Sequence, residues 1–260
     1  VLKYFFTTKD GNYYFLDEPK NELVCYNKEI ISSVYINRFP LEVKIWFFKD
    51  NYKLHSIICD PKKGRVDGDD VNKFKGMMHK NDKPYSEYDK ATKDKVEMML
   101  QFVKDVLCND NEVFFNYILK WTSNMARGNK NDAILYLKGI EGLGKSTFPE
   151  FLVDFVLGKS ICTKSARNVD ALKSSYNGIL CGMLLVVFEE LPTFTGSEWE
   201  GISSIIKDMA SNDEALYEDK YEKKYKCRNI NNMIVNSNVE ALQHSEGRRY
   251  MILEKKKKRL

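Results

Sequence analysis

The stretch Asp132-Ala-Ile-Leu-Tyr-Leu-Lys-Gly-Ile-Glu-Gly-Leu-Gly-Lys-Ser-Thr147 decides how the rest of the chain reads. A short apolar run, Ala133–Leu137, enters a glycine-rich loop, and a helical pattern, Lys145–Leu157, leaves it and stops at Gly158. Gly139–Thr147 fits G-x-x-x-x-G-K-[ST], with Gly139, Gly144, Lys145 and Ser146 at the fixed positions. The spacing has a chemical reason. Glycines let the backbone curl until successive N–H groups face one centre, and the following helix adds its partly positive N-terminus, so the loop suits an anion. On this pattern the ATP-binding loop is expected to comprise Gly139, Glu141, Gly142, Leu143, Gly144, Lys145, Ser146 and Thr147. Lys145 would reach the β- and γ-phosphates, Ser146 would ligate Mg²⁺, and Thr147 would approach the α-phosphate. Glu141 is an unusual residue for an anion-binding loop and is expected to face solvent or a neighbouring subunit.

Downstream, apolar strands alternate with helical patterns. Leu184-Leu-Val-Val-Phe-Glu-Glu190 is a continuous apolar run ending in two carboxylates, as expected of a strand buried on both faces of a parallel sheet. Glu189 is expected to hold Mg²⁺, through water, and Glu190 to take a proton from the attacking water. Glu198–Ala210 carries Ile202, Ile205, Ile206 and Met209 on one helical face, and Met233–Val235 is a third short apolar strand. That strand runs into Asn236-Ser-Asn238. Asn238 is the candidate for sensing the γ-phosphate, with Asn236 the alternative if the strand ends earlier. Gly247-Arg-Arg-Tyr250 follows, and Arg248 or Arg249 is expected to enter a neighbouring subunit's ATP site. Fully apolar strands alternating with helices predict an α/β domain of three layers around a mainly parallel sheet over residues 132–260.

Upstream, Val96, Met99, Leu100, Val103 and Leu107 recur at helical spacing and Val113–Trp121 continues as a second apolar helix, so residues 92–131 read as a helical collar. Residues 61–91 are polar and rich in glycine and proline, which reads as a connection. In the first 60 residues, Tyr13–Leu16, Ile30–Ile36 and Val43–Phe48 are short aromatic and β-branched runs between Gly11, Pro19 and Pro40. A small strand-rich unit is the expectation there, with residues 1–91 as one region.

With 260 residues, 43% of them hydrophobic and 30% charged, the chain has the composition of an ordinary globular protein. No apolar run is long enough to span a membrane, and no signal-peptide pattern is present. The chain opens on Val1, so a fragment of something longer is expected. The six cysteines are scattered without a CxxC pair, which suggests reduced structural thiols inside a cell and argues against zinc. The net charge of +4 says little about partners, since most of the excess lies in Glu254–Leu260. No function is assigned to the Lys255–Arg259 tail.

Gly139–Thr147, Leu184–Glu190, Met233–Asn238 and Gly247–Arg249, in this order, resemble the superfamily 3 helicases of DNA viruses, phages and plasmids. The likeness is greatest to the helicase half of primase-helicases of large DNA viruses and mobile elements. A further signature is matched by Ile205-Ile-Lys-Asp through Tyr225. The resemblance implies a P-loop NTPase core of AAA+-like fold and a homo-oligomeric ring, a hexamer, translocating on single-stranded or forked DNA. It also implies work at an intracellular replication site of a virus or mobile element, in the host cytoplasm or nucleus. No primase signature is visible, which fits a fragment that lacks an upstream primase domain of the full-length protein. In the family, the region matching Glu218–Lys226 is a hairpin lining the pore. Lys220, Lys223, Lys224 and Lys226 would then grip phosphates, with Tyr221 and Tyr225 stacking on bases or sugars. Two other readings keep the ATPase and change its substrate: an RNA-remodelling enzyme, or a protein-remodelling or packaging ATPase that nucleic acid does not stimulate.

Overall fold

The computed structural model describes residues 5–9, 11–45, 47–48, 54–79, 83–139, 142, 144–165, 168–174, 176–189, 196–219, 224–237 and 249–255. The N-terminal region opens with β1 (Phe5–Thr8), β2 (Tyr13–Asp17) and β3 (Glu22–Tyr26), an antiparallel meander turned at Gly11 and Asn21. Strands β4 (Leu54–Ile58), β5 (Val66–Asp67) and β6 (Asp70–Asn72) complete a six-stranded mixed sheet in the order β3-β2-β1-β4-β6-β5. Part of the segment expected to be a connection is therefore sheet.

Two runs expected as strands are helical. Lys28–Ile30 is a short helix (α1) continued by a π-helical turn over Ile31–Tyr35, and Leu41–Ile45 is a second helix (α2). The reason for the first is local. Asn27 caps the helix by accepting from the Ile30 N–H at 2.8 Å, and the wide turn brings Ile31 and Ile36, both fully buried, onto Phe5. Rings of Phe5, Phe15, Tyr35 and Phe47 close this side of the sheet, the Phe5 and Phe15 centroids lying 5.0 Å apart.

Two helices follow, where the apolar spacing predicts them. Helix α3 (Lys90–Phe102) is capped by Asp89, which accepts from the Thr92 N–H at 2.8 Å, and continues as a π-helical turn over Val103–Leu107. Helix α4 (Glu112–Ala126) is capped by Asn111 and buries Ile118, Trp121 and Met125. The Trp121 indole N–H donates to the Ala133 carbonyl at 2.8 Å, tying the collar to the chain just before the next strand.

The C-terminal part is built on a second sheet of five strands, all parallel: β7 (Ile134–Gly139), β8 (Cys162–Ser165), β9 (Leu185–Glu189), β12 (Asn232–Ser237) and β13 (Tyr250–Lys255). Their spatial order is β13-β7-β12-β9-β8. Helices α5 (Thr147–Phe151, extended as a π-helical turn over Leu152–Leu157), α6 (Asn168–Lys173) and α7 (Gly196–Ser211) connect these strands. A separate hairpin pairs β10 (Glu214–Tyr217) with β11 (Tyr225–Arg228). Leu135, Leu185, Val186, Val187 and Ile234 are fully buried, as continuous apolar strands in the middle of a parallel sheet must be. Phe6, Tyr14 and Ile57 of the first sheet share one buried cluster with Leu135, Val187 and Ile234 of the second. No helix among the described residues is long and apolar enough to cross a membrane.

Candidate functional site

The carboxyl ends of β7, β12 and β9 meet in one place. In open α/β sheets that edge is where ligands sit, because loops and helix N-termini gather there. Register fixes the arrangement: Asn236 of β12 lies opposite Leu137 of β7 on one side and Glu189 of β9 on the other. Strand β12 thus stands between the glycine loop and the acidic strand. That order, which the sequence pattern does not show, has a chemical consequence. The Asn236 side-chain amide spans the gap, donating to Ser146 Oγ at 2.9 Å and to Glu189 Oε2 at 3.4 Å.

Glycine is required in the loop on geometric grounds. Gly142 and Gly144 have φ of 76° and 77°, the left-handed region that side chains rarely adopt. Gly144 also rests on the collar: a Cβ there would lie 3.2 Å from the Phe102 ring and 3.5 Å from Val106. Lys145 is 7% exposed and its ammonium donates back to the Gly139 carbonyl, crossing the loop. Thr147 opens α5, with Ser146 as its cap residue. Pro149 sits in the first turn, where its missing N–H removes no helical bond.

Glu189 leaves a polar atom unmet at this edge. One carboxylate oxygen, Oε1, is buried without a hydrogen-bond partner among the described residues, facing the Lys164 ammonium at 3.7 Å. Lys164 is drawn more closely to Glu150, at 2.6 Å. A buried, under-satisfied carboxylate oxygen is costly unless a further donor or cation meets it. Ser146 hydroxyl and Glu189 carboxylate are hard oxygen donors held by one amide, a donor set that fits Mg²⁺.

The structure thus brings together Gly139, Gly142, Gly144, Lys145, Ser146, Thr147 and Glu189, and adds Asn236 to them. Glu141, Leu143, Glu190, Asn238 and Arg248 lie outside the described residues. Arg249 stands elsewhere. It precedes Tyr250, which pairs with Ile134 at the opposite end of β7, roughly 17 Å from Gly139 at the rise of a strand. Its guanidinium donates to the Lys207 carbonyl of α7 at 3.3 Å.

The basic hairpin is present, and its base is firmly held. Lys224 pairs with Glu218 at 3.3 Å, Lys226 pairs with Glu214, and both lysines are more than half exposed. Lys220, Lys223 and Tyr221 lie outside the described residues. Tyr225 does not fit the stacking role expected of it: it is 5% exposed, and its hydroxyl donates to Asp219 Oδ2 at 2.8 Å while accepting from Lys73 at 2.8 Å. Burial, foremost, pushes its phenol far above the ordinary range, so it stays a donor. Sequence reasoning missed this floor because Lys73 and Asp219 are 146 residues apart.

The profile of a family described as "Family of unknown function (DUF5906)" matches residues 137–249, from the end of β7 to the threshold of β13. No curated protein matches the chain. Among solved structures, an A-form apo structure of the NrS-1 C-terminal region aligns with a TM-score of 0.70 at 15% identity, covering 96% of this chain and 58% of that one. A second A-form apo structure, of NrS-1 residues 305–718, gives 0.66 at 14% identity with 97% and 58% coverage. A further apo structure of the same region gives 0.70 at 16% identity with 96% and 58% coverage. The chain therefore spans little more than half the length of these neighbours, and with them it shares its fold.

Proposed function

We propose that this chain is a P-loop ATPase whose hydrolysis drives movement on single-stranded DNA, the motor part of a replicative helicase of superfamily 3 type. The observation that carries the reading is the hydrogen-bonded line Ser146–Asn236–Glu189 across three neighbouring strand ends, beside a glycine loop closed by Lys145. In this reading the loop N–H groups and the N-terminus of α5 receive the phosphates of ATP, and Lys145 exchanges its bond to Gly139 for one to the β- and γ-phosphates. Ser146 and Glu189 would hold Mg²⁺, which neutralises charge developing on the phosphates. Asn236 donates to both oxygens, and on that ground it takes the sensing role, with Asn238 the alternative. Glu190 remains the candidate base.

Arg249 lies at the far end of the sheet, so an arginine from this segment would serve a neighbour's site. That supports assembly into a homo-oligomeric ring, for which a hexamer is the proposal. The exposed Lys224 and Lys226 at the hairpin suit backbone phosphates of DNA, with Lys220 and Lys223 completing the set. An intracellular replication site and an upstream primase domain belong to the same proposal.

Steady-state ATP hydrolysis with and without single-stranded DNA tests it. Wild type should be stimulated, Lys145→Ala inactive, and Lys223→Ala/Lys224→Ala should hydrolyse ATP without stimulation. Hydrolysis that depends on Lys145 in an assembled sample yet ignores both DNA and RNA would leave an ATPase and remove the helicase.

A further inference from the structure

Three cysteines converge where the two sheets and the hairpin meet. Cys59 follows β4, Cys181 lies in the turn before β9, and Cys227 is on β11. All are buried, and their sulfur atoms lie within 4.8 Å of one another. Cys59 and Cys181 lie 3.1 Å apart sulfur to sulfur, and none of the three is in a disulfide. Buried cysteine often does no more than fill space as a small apolar group. This trio differs in that the sulfurs point at one another, and in what flanks them.

Lys73 reaches the same region. Its ammonium lies 4.4 Å from the centre of the Tyr225 ring and 2.7 Å from Asp219 Oδ2. Lys73 is thereby ion-paired, hydrogen bonding to Cys181 holds the Cys59 thiol up and burial holds Cys181 up, so a metal would have to displace their protons. Chain separation is large as well: Cys59 and Cys181 are 122 residues apart. A cation at their centre would therefore cross-link segments that the chain itself leaves far apart.

We propose that Cys59, Cys181 and Cys227 form a binding site for a thiophilic d¹⁰ cation of the Zn²⁺ class, which staples the base of the β10–β11 hairpin to the N-terminal sheet. Among the described residues no His, Asp, Glu or other Cys joins the three, so the donor set is all sulfur and selects soft metals over Mg²⁺. Binding deprotonates the thiols it engages and releases those protons to solvent. Two existing contacts run along the same seam: the Cys227 thiol points to the Ile57 carbonyl at 3.9 Å, and Arg228 pairs with Asp60 at 3.7 Å. The staple would hold the hairpin strand that carries Lys226 in a fixed relation to the core. This inference is independent of the ATPase reading, because nothing in it involves the glycine loop.

The test uses the whole chain, reduced and stripped of metal under anaerobic conditions, titrated with Co²⁺ as a spectroscopic probe and then with Zn²⁺. A thiolate-to-metal charge-transfer band saturating at one equivalent, bleached by Zn²⁺, is expected, and Zn²⁺ should raise the melting temperature in a way a chelator reverses. Cys59→Ser, Cys181→Ser and Cys227→Ser should each abolish the band, whereas Cys25→Ser and Cys162→Ser should keep it. Should the serine variants unfold, the wild-type melting shift still decides. Absence of both band and shift in the wild type would overturn the proposal. So would a band that survives in a folded Cys227→Ser variant.

Discussion

The strand ends around Asn236 and the hairpin floor around Lys73 both bring distant polar residues together, yet they differ in how they are built. At the strand ends every participant comes from a parallel strand or the loop leaving one, so sheet register places them: Asn236 falls opposite Leu137 and Glu189 because β12 pairs with both neighbours. At the hairpin floor Lys73, Asp219 and Tyr225 come from different elements, and side-chain bonds place them. The first arrangement leaves a carboxylate oxygen under-satisfied at an open edge, as chemistry requires. The second satisfies Lys73, Asp219 and Tyr225 against one another, while the neighbouring Glu218 Oε2, buried without a hydrogen bond, is met by the Lys224 ammonium at 3.3 Å. Activity is therefore to be sought at the strand ends, and stability at the floor.

Substitutions should divide along that line. The largest effect is expected from Lys145→Ala, which should lower ATP hydrolysis by roughly a thousandfold while the melting temperature barely moves, because it removes charge at the phosphates and little packing. Loss of fold in that variant would place Lys145 in the supporting class instead. Asn236→Ala should come next, slowing hydrolysis by roughly ten- to a hundredfold, since it releases both Ser146 and Glu189. Steady-state kinetics, with Asn238→Ala alongside, would show which asparagine matters more.

Gly178→Ala belongs to the other class. An added Cβ would lie 1.9 Å from Asp219 Oδ1, so Asp219 must leave Lys73 or the turn must shift. Urea unfolding should show a loss of about 1–3 kcal/mol, with activity per folded molecule little changed. An unaltered midpoint would mean the floor is softer than its geometry suggests. The smallest structural effect is expected from Lys226→Ala, whose ion pair with Glu214 is solvent-exposed on both sides, whereas Lys224 faces the buried Glu218 Oε2. Stability should hold, while the log–log salt slope of single-stranded DNA binding falls by roughly 0.7 for each phosphate that is no longer neutralised.

Legibility in the sequence follows the same division. The glycine loop, the apolar strands β7, β9 and β12, and helices α3, α4 and α7 could be read directly, because each is a local pattern with its own period or motif. The strand order could not be read, since an inserted β12 changes no local pattern. Its consequence, Asn236 between Ser146 and Glu189, was visible only as the second of two asparagines. Asn229, Asn231 and Asn232 look like a solvated turn, yet all are buried, and Asn232 accepts from the Asn131 N–H at 2.8 Å while Asn231 donates to Leu180 O at 2.9 Å. Composition cannot separate a polar turn from a buried network whose partners lie elsewhere in the chain. Strands β8 and β13 were missed because four to six residues with lysine or serine among them carry too little apolar pattern. The convergence of Cys59, Cys181 and Cys227 could not be read from their spacing, because the fold assembles it.

Whether the carboxyl edge of the parallel sheet binds and hydrolyses ATP is decided by calorimetric titration of ATP with Mg²⁺ into wild type, Lys145→Ala and Glu189→Gln. Turnover is measured on the same samples. Wild type should bind and hydrolyse, Glu189→Gln should hydrolyse at least about a hundredfold more slowly, and Lys145→Ala should lose binding. Folded wild type that fails to bind ATP, or undiminished binding in Lys145→Ala, would contradict an ATP site at this edge.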